Sequence, residues 1–281
     1  MFPDNVNTSL DVSVVVYKHS EQQIAKVLET LIISAEESTI NKILIFIIDN
    51  YGNFSGEKLK RNINKTNNLS VTYEIKVLHP DKNLGYGKAN NLACNLSDSK
   101  YHLVLNPDVF FDRPSIANAI NYLDHNYDVV LVSPKIENEK GIIVSGIKRF
   151  PSFPILFLRF LDIPFLNKIF KRSLDHYACM DIIQSDIPQE IIMASGCCML
   201  FKKEALKKVG GFNEDYFLYF EDFDLSLRTK QFGEIHYLPS FKIKHLGGNT
   251  GRKGFTHIRY FIASMFKFFW QYKNDNIRLY K

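Results

Sequence analysis

The apolar positions in the first part of the chain fall into two patterns. Some runs have the length of buried strands, and they lie at Asp11–Tyr17, Ile43–Ile48, Val71–Leu78 and Tyr101–Leu105. Elsewhere apolar residues recur every three or four positions from Ile24 to Ile32, which predicts one face of a helix, and Lys88–Asn95 predicts another helix. Strands that alternate with helices and are apolar on both faces predict an α/β fold, with a mostly parallel central sheet flanked by helices.

The second part of the chain is less regular. Further strands are predicted at Ile191–Ala194, Cys198–Phe201 and Phe241–Lys244, with helices over Lys203–Val209 and from Glu221 onwards. Residues 153–172 and 255–273 are rich in Phe, Leu and Ile with Lys and Arg among them. These patterns predict one catalytic domain over residues 1–250. A C-terminal aromatic-basic helical appendage is expected over 251–281.

Composition narrows the class of protein. Hydrophobic residues make up 46% and charged residues 23% of the 281 residues, as in a folded globular protein. The 35 Lys and Arg against 30 Asp and Glu give a net charge of +5, which suits a phosphate-bearing ligand or an anionic membrane. The basic residues are scattered and match no recognition motif, so a nucleic-acid partner is not expected.

The cellular location is inferred from three features. The four cysteines form no C-x-x-C pair, so reduced thiols are expected. Residues 1–10 lack the basic and apolar regions of a signal peptide, and no run of 18 uncharged apolar residues occurs. We therefore expect a cytoplasmic protein.

Two aspartates stand where ligands bind in α/β sheets. Asp49 and Asp108 each follow a predicted strand, and ligand sites lie beyond the carboxyl ends of such strands. Asp108, in the sequence Asn106-Pro107-Asp108, is suited to hold a divalent cation that neutralises a leaving diphosphate. Asn-Pro-Asp is also strong turn chemistry, so a plain turn is the alternative.

Three acids lie among aromatic residues at the start of a predicted helix. Glu221, Asp222 and Asp224 occur in FLYFEDFDLSLR. Capping of free N–H groups accounts for one or two of them. An apolar setting raises the proton affinity of a carboxylate toward that of a general base, which is the second interpretation.

Two weaker signals involve glycines. His245 follows a predicted strand and precedes two glycines, which allow close approach of a bound group. The loop NLGYGKANN, Asn83–Asn91, resembles a phosphate-binding loop but lacks the full dinucleotide fingerprint.

The order of these motifs resembles the family 2 glycosyltransferases, and within them the bacterial rhamnosyltransferase-like branch that builds O-antigen and related polysaccharides. The match runs from the VSVVVY strand through Asp49, NLGYGKANN and LNPD to a late His-x-Gly-Gly. It covers roughly residues 11–250, and it implies a nucleotide-sugar half at about 11–110 and an acceptor half at about 111–250. Its most specific part is 194–228, ASGCCMLFKKEALKKVGGFNEDYFLYFEDFDLSLR.

The resemblance implies a GT-A fold and an inverting transfer from a nucleotide sugar, foremost dTDP-rhamnose, to a saccharide on a polyprenyl diphosphate. The site residues it implies are donor contacts at Tyr17, Asp49, Asn83, Gly85, Asn106 and Asp108, acceptor contacts at Ser195, Gly196 and Asp224, Mg²⁺ or Mn²⁺ on Asp108 and His245, and a general base at Asp222 with Glu221 beside it.

The chain departs from the family pattern at two places. The metal-binding D-x-D element reads Asn106-Pro107-Asp108, so only one carboxylate remains and weak metal affinity is expected. Tyr51 stands where the family has a small residue, and it narrows the expected donor pocket. The resemblance therefore leaves the nucleotide open.

Two other functions remain as alternatives. A nucleotidyltransferase usually carries a Gly-rich basic loop near its N-terminus, which Val12–Ser20 lacks. A catalytically inactive scaffold of a polysaccharide assembly complex would not require Asp108, Asp222 and His245, so their presence argues against this alternative.

The aromatic-basic segments 153–172 and 255–273 suit the headgroup region of an anionic membrane, so we expect a peripheral protein at the inner face of the cytoplasmic membrane. Packing of these segments on the core, or on another subunit of a homo-oligomer, is the alternative.

Overall fold

The computed structural model describes residues 9–63, 70–96, 98–247 and 254–273. Residues 1–8, 251–253 and 274–281, which belong to the N-terminal segment and the predicted appendage, therefore lie outside the described residues. Within the described ranges the strands are Ser9–Val16 (β1), Lys42–Asp49 (β2), Thr72–Leu78 (β3), Tyr101–Leu105 (β4), Val109–Phe111 (β5), Val129–Glu137 (β6), Ile143–Val144 (β7), Ile147–Lys148 (β8), Gln189–Glu190 (β9), Met193–Ala194 (β10), Cys198–Lys202 (β11) and Glu234–His245 (β12). The helices there are Glu21–Ala35 (α1), Gly56–Asn62 (α2), Gly87–Cys94 (α3), Ser115–His125 (α4), Phe153–Leu161 (α5), Pro164–Ile169 (α6), Lys171–Tyr177 (α7), Met180–Ile183 (α8), Lys203–Val209 (α9), Glu221–Thr229 (α10) and Phe255–Gln271 (α11).

The main sheet has the order β3-β2-β1-β4-β11-β6-β12-β5. Strands β3, β2, β1 and β4 are parallel to one another, and β6 is parallel to β12, whereas β11 runs antiparallel between β4 and β6. A short second sheet pairs β8 with β10. The prediction of an α/β fold with a mostly parallel sheet is confirmed.

The parallel half places its strand ends at one edge. Val14 pairs with Leu105 and Val16 with Asp49, so the carboxyl ends of β1, β2 and β4 lie side by side. Helix α1 covers this half with the apolar face that its spacing predicts, and its first turn is capped by Ser20, whose hydroxyl accepts from the Gln23 N–H.

A buried polar cluster fixes the helices behind β1 and β4. Asp11 forms an ion pair with Lys203 at the start of α9, and both side chains are at most 2% exposed. Ser13 Oγ donates to Asn90 Oδ1 of α3 at 2.7 Å and lies 3.1 Å from His102 Nε2 of β4. Because buried polar groups are costly without partners, this cluster fixes how α3 and α9 sit on the sheet.

Several elements differ from the expectations. The patterns predict neither α4 nor β6, and they predict only the last part of β12. The aromatic-basic segment 153–172 folds as the short helices α5 and α6 and the start of α7, because Asp162 adopts a left-handed conformation and Pro164 begins a new helix. None of the described helices is long and apolar enough to cross a membrane.

Helix α11 packs on the helix that carries the three acids. The ring of Phe268 is fully buried, and its centroid lies 5.3 Å from that of Phe220, directly before α10. Ser264 Oγ donates to the Leu218 carbonyl oxygen at 2.8 Å. The aromatic C-terminal helix α11 therefore packs against the segment that leads into α10.

Candidate active site

Asp222 lies in the first turn of α10, against the segment between β10 and β11. Tyr219 and Phe220 adopt positive φ angles of 70° and 65°, which turn the chain into the helix. Asp222 Oδ2 accepts from the Gly196 N–H at 2.9 Å, and Oδ1 accepts from the Phe223 N–H at 2.9 Å. These two hydrogen bonds fix the carboxylate in one orientation.

Tyr86 and Asp222 both form hydrogen bonds with the backbone of Gly196. The Tyr86 hydroxyl donates to the Gly196 carbonyl oxygen at 2.5 Å. A Cβ atom at Gly196 would lie 3.2 Å from Tyr86 Cε1 and 3.3 Å from Asp222 Cβ. The absence of a side chain at this position therefore lets both groups approach the same stretch of backbone.

The same stretch of backbone leads to Asp108. The Asn106 N–H donates to the Cys197 carbonyl oxygen at 2.8 Å, in the loop that holds Asp108. Burial raises the pKa of the Cys197 thiol to about 12, and the negative charges of Asp108 and Asp222 both add to this rise. The two carboxylates from distant parts of the chain thus lie around one segment at the same edge of the sheet.

Asp108 is paired with His245. Its Oδ1 lies 3.1 Å from His245 Nε2, at the end of β12. Burial acts to raise the pKa of Asp108, but the hydrogen bond and charge of His245 outweigh it, and the pKa lies below its ordinary value. A Cβ at Gly247 would lie 2.0 Å from Asp108 Oδ2, so only glycine leaves this oxygen accessible.

These residues fit a divalent cation that is shared with a ligand. A carboxylate oxygen and an imidazole nitrogen are both donors for Mn²⁺, and Mg²⁺ accepts the former. Among the described residues no group of three His, Cys, Asp or Glu side chains could hold a metal by itself. The pair could therefore hold a cation only together with ligands that come from outside these side chains.

Both carboxylate oxygens of Asp49 form hydrogen bonds within the loop that follows β2. Its oxygens accept from the Tyr51 N–H at 3.0 Å and the Phe54 N–H at 2.7 Å, and the side chain is 1% exposed. Burial acts to raise its pKa, but these backbone N–H groups and the charge of His79 bring it below the ordinary value. Asp49 shapes the end of β2 and offers little surface to a ligand.

Asn83 and Gly85 form a tight loop next to it. Asn83 Oδ1 accepts from the Gly85 N–H at 2.9 Å, and Asn50 Nδ2 donates to the Gly85 carbonyl oxygen at 2.8 Å. Gly85 has a φ of +79°, and a Cβ there would lie 2.1 Å from the Phe217 carbonyl oxygen. This loop therefore joins the end of β2 to the segment that leads into α10.

Tyr17 lies at the exposed rim of the same edge. Its side chain is 47% exposed, and its ring stands edge-on to Tyr51, with centroids 5.4 Å apart. Lys18 Nζ lies 4.9 Å from the Tyr51 ring centroid. The two tyrosines and the lysine form an open aromatic and cationic surface beyond β1 and β2.

Ser195, a predicted acceptor contact, and Glu221, predicted beside the base, have different surroundings. The Ser195 N–H donates to the Gly146 carbonyl oxygen at 2.7 Å, which ties this segment to β8. Glu221 is 5% exposed, and its Oε2 has no hydrogen-bond partner among the described residues. Burial, followed by the charge of Asp222, raises the pKa of Glu221 well above its ordinary value. Burial also raises the pKa of Asp222, against its hydrogen bonds from Gly196 and Phe223.

The structure argues against an acceptor contact by Asp224. The side chain is fully buried on the face of α10 that meets α11. Its Oδ2 accepts from Arg228 Nε at 2.8 Å, and its Oδ1 accepts from Gln271 Nε2 at 2.6 Å and from the Tyr272 hydroxyl at 2.8 Å. With both oxygens occupied, Asp224 connects two helices and has no free face for a sugar.

Two residues of this region were not expected from the sequence. Tyr86 stands between the glycines of NLGYGKANN, and the spacing gives no sign that it reaches Gly196. Lys148 belongs to the short strand β8, and burial, then the charge of Arg159, lowers its pKa to about 7. Only the fold brings it near Asp222, whose negative charge acts in the opposite direction on this pKa.

Comparison with known proteins identifies the family. The model for Glycosyl transferase family 2 matches residues 11–210. Rhamnosyltransferase WbbL of Escherichia coli (strain K12) is 26% identical over 66% of this chain and 69% of its own length. The N-acetylglucosaminyl-diphospho-decaprenol L-rhamnosyltransferase of Mycobacterium tuberculosis (strain CDC 1551 / Oshkosh) is 26% identical over 66% of this chain and 63% of its own length.

Solved structures share the fold at low identity. GalNAc-T7, crystallised with UDP, GalNAc and Mn²⁺, superposes with a TM-score of 0.57 and 16% identity over 88% of this chain and 44% of its own. TarS of S. aureus, residues 1–349, gives a TM-score of 0.54 and 15% identity over 85% and 60% of the two chains. The predicted GT-A fold is confirmed. The chain belongs to glycosyl transferase family 2 and is a glycosyltransferase with rhamnosyltransferase-like relatives.

Proposed function

We propose that the chain transfers rhamnose from dTDP-rhamnose, with inversion, to a saccharide carried on a polyprenyl diphosphate during surface polysaccharide assembly. Two relatives are named rhamnosyltransferases, and the name of one describes a diphospho-decaprenol compound. The observation that carries the proposal is the arrangement around Gly196 and Cys197, where a half-buried base candidate and a cation-binding candidate share one segment.

Asp222 is proposed to accept the proton of the attacking hydroxyl. A general base works best when its pKa lies near the working pH, and burial moves the pKa of Asp222 upward. The Gly196 and Phe223 N–H groups fix its orientation. Ser195 and Gly196 line the acceptor side in this proposal, and Glu221, which is 5% exposed, lies beside Asp222.

Asp108 and His245 are proposed to hold Mg²⁺ or Mn²⁺ at the donor diphosphate. A cation there supplies charge neutralisation for the leaving nucleoside diphosphate. Tyr17 offers its exposed ring to the nucleoside, while Asp49, Asn83 and Gly85 shape the loops around it and Asn106 fixes the Asp108 turn.

The transfer itself is tested by product analysis. Purified chain is incubated with Mn²⁺, a panel of nucleotide sugars and a polyprenyl-diphosphate-linked saccharide, and products are identified by mass spectrometry. We expect acceptor elongated by one deoxyhexose, release of dTDP, and loss of both with Asp222→Asn. Release of a sugar phosphate, or equal transfer by Asp222→Asn, would contradict the proposal.

We also propose that the protein lies at the inner face of the cytoplasmic membrane. Helices α5 and α11 form one aromatic surface, on which Phe153 stacks on Phe269 with centroids 3.9 Å apart. Phe165 of α6 is 70% exposed and Trp270 is 73% exposed, with Lys273 Nζ 3.5 Å from the Trp270 ring centroid. Exposed aromatic rings beside cationic groups suit the headgroup region of an anionic leaflet.

Membrane attachment is tested by sedimentation with phosphatidylglycerol vesicles. We expect wild type to sediment and Phe165→Ser with Trp270→Ser to remain largely in solution. Tyr127→Ser is the matched control, because Tyr127 is an aromatic residue, 86% exposed, directly after α4. Absence of wild-type sedimentation, or equal loss with the control, would contradict membrane attachment.

A further inference from the structure

Tyr86 contacts both chain segments that determine where the Asp222 carboxylate lies. Its backbone N–H donates to the Phe217 carbonyl oxygen at 3.0 Å, in the segment that leads into α10. Its hydroxyl donates to the Gly196 carbonyl oxygen at 2.5 Å, and Gly196 in turn donates its N–H to Asp222 Oδ2 at 2.9 Å. One residue therefore links the start of the helix that carries Asp222 with the backbone group that orients its carboxylate.

The backbone of Tyr86 is itself attached to the sheet. Its carbonyl oxygen accepts from the Asn90 N–H at 3.1 Å and from Asn90 Nδ2 at 3.0 Å. Ser13 Oγ of β1 donates to Asn90 Oδ1 at 2.7 Å, and both of these side chains are fully buried. Because buried polar groups that have partners are held rigidly, Tyr86 has a fixed attachment from which its side chain reaches Gly196.

Gly196 needs support from outside its own segment, because glycine restricts the backbone least of all residues. A Cβ at this position would lie 3.2 Å from Tyr86 Cε1 and 3.3 Å from Asp222 Cβ, so a stiffer residue does not fit without a shift of one of them. The backbone on either side is held by Gly146 and Asn106, and the hydroxyl of Tyr86 holds Gly196 itself. The place of the Gly196 N–H therefore depends on Tyr86.

The hydroxyl of Tyr86 is a permanent hydrogen-bond donor. Burial, followed by the charges of Cys197, Glu221 and Asp222, raises the pKa of Tyr86 well above its ordinary value. The phenol therefore stays protonated over the whole range in which a carboxylate titrates, and its hydrogen bond to Gly196 is present throughout that range.

We propose that Tyr86 is a positioning residue, whose hydroxyl holds Gly196 so that the Gly196 N–H fixes the orientation of the Asp222 carboxylate. Tyr86 directly follows Gly85, so the same side chain connects the proposed donor loop with the proposed base. The catalytic consequence rests on the proposed function of Asp222 as general base, whereas the support of Gly196 is measured without turnover.

The support of Gly196 is measured by comparing Tyr86→Phe with Tyr237→Phe. Both variants keep the ring and remove one hydroxyl. Tyr237 is the matched control, because it belongs to the hydrophobic cluster on which Tyr86 packs and its hydroxyl donates to the Ile183 carbonyl oxygen at 3.1 Å. Hydrogen exchange of the Gly196 amide, followed by NMR with the full chain, reports local opening at this position.

Exchange of the Gly196 amide should be about 10-fold faster in Tyr86→Phe than in wild type, since a hydrogen bond that holds this residue is lost. In Tyr237→Phe the exchange rate should stay within about twofold of wild type, because the lost hydrogen bond lies elsewhere in the fold. Equal acceleration in both variants would show a general loss of stability and would overturn the proposal.

Steady-state kinetics measures the consequence for the base. We expect kcat to fall by about 10-fold in Tyr86→Phe, while KM for the donor stays within about twofold because the ring and the side chains of the proposed donor edge remain. In Asp222→Asn, adding Tyr86→Phe should change the residual kcat by less than about twofold, because Tyr86 acts through Asp222. Losses that add in the double variant would overturn the positioning role.

The pH profile of kcat/KM is a readout that a merely structural role would not move. The Gly196 N–H lowers the pKa of Asp222, so a weaker hydrogen bond raises this pKa, and the acidic decline should lie at higher pH in Tyr86→Phe than in wild type. Tyr237→Phe should leave the decline in place. The variant keeps the other titratable groups that interact with the charge of Asp222, which are Glu221, Lys148, Cys197 and Tyr177.

The two proposals fail separately. Faster exchange at Gly196 in Tyr86→Phe, in a chain that transfers no sugar, would contradict the proposed function alone. Sugar transfer by a chain in which Tyr86→Phe keeps wild-type exchange at Gly196 would contradict this inference alone. Faster exchange with an unchanged kcat and an unchanged pH profile would also overturn the positioning role.

Discussion

The carboxylates at the proposed donor edge of the site and at its proposed acceptor edge have pKa values that are shifted in opposite directions. Asp49 and Asp108, at the ends of β2 and β4, have pKa values below the ordinary range. Glu221 and Asp222, in the first turn of α10, have pKa values above it. Burial acts in the same direction on all four, so the difference comes from their partners.

On the donor edge the partners are positive or donate hydrogen bonds. Asp49 accepts from backbone N–H groups and Asp108 contacts an imidazole, and each partner stabilises the ionised form. On the proposed acceptor edge one oxygen of Glu221 has no hydrogen-bond partner in the part of the chain that the structure describes, and the side chain lies beside a second carboxylate. The carboxylates of the proposed donor edge therefore stay ionised, which suits the binding of a cation. The carboxylates of the proposed acceptor edge have a raised proton affinity, which suits a general base.

The largest effect is expected from Asp222→Asn. Removal of a positioned general base lowers kcat by about 10²–10⁴. Donor affinity, measured by calorimetry, should remain within about twofold, because the donor edge is unchanged. Asp215→Asn, at an exposed aspartate in the loop before α10, is the control and should keep wild-type kcat. Equal kcat for Asp222→Asn and wild type would remove the distinction between the two edges.

Asp224→Asn separates structure from catalysis on the same helix. The variant leaves Arg228 without its carboxylate and weakens the contact with α11, so we expect a loss of about 2–3 kcal/mol in the free energy of unfolding. Urea unfolding measures this loss. At temperatures where the variant is folded, kcat should stay within a few fold of wild type. A drop as large as that of Asp222→Asn would restore a catalytic role for Asp224.

Asp108→Ala tests the donor edge. In wild type we expect Mn²⁺ to lower the Kd for the nucleotide sugar by about 10–100-fold. The variant should lose this effect of Mn²⁺. Calorimetry with Mn²⁺ and with EDTA measures it. Asp112→Asn, four residues further on and exposed, is the control. If the Mn²⁺ effect survives in Asp108→Ala, the cation is held elsewhere.

The smallest effect, taken per pH unit, is the pH dependence of stability that Glu221 causes. Its folded pKa lies above the ordinary 4.5, so the folded state binds more protons and wild type loses stability as pH rises above that value. Glu221→Gln does not titrate. The stability of the variant relative to wild type should therefore increase with pH, by at most about 1.4 kcal/mol per pH unit. Urea unfolding between pH 5 and about 8 measures the trend, and a difference that decreases with pH would contradict it.

Part of this arrangement follows from sequence patterns. The apolar runs that become β1, β2 and β4 end in polar residues, so the shared edge is predictable. Strand β6 escapes prediction because only its first four residues are a continuous apolar run before Ser133 and Pro134. The first part of β12 alternates polar and apolar residues only from Glu234 to Tyr237, and Leu238 and Pro239 then interrupt the pattern, so the run is short for a strand prediction.

The roles of individual acids depend on packing. Asp222 and Asp224 are two positions apart, so they point about 200° apart around the helix and cannot share a face. Which of them faces the site is decided by Gly196 on one side and Tyr272, from 48 positions later in the chain, on the other. The sequence likewise gives no sign that the Asp49 side chain forms its hydrogen bonds within its own loop.

The proposed transfer depends most on Asp222 being a carboxylate of raised pKa that takes a proton from the acceptor. The pH dependence of kcat/KM for wild type and Asp222→Asn measures this directly, because it reports the ionisation of the free enzyme. We predict that wild-type activity falls on acidification at a pH clearly above the ordinary aspartate value of 3.8, and that the residual activity of the variant lacks this decline. A decline centred near the ordinary value, or one that persists in Asp222→Asn, would contradict the account.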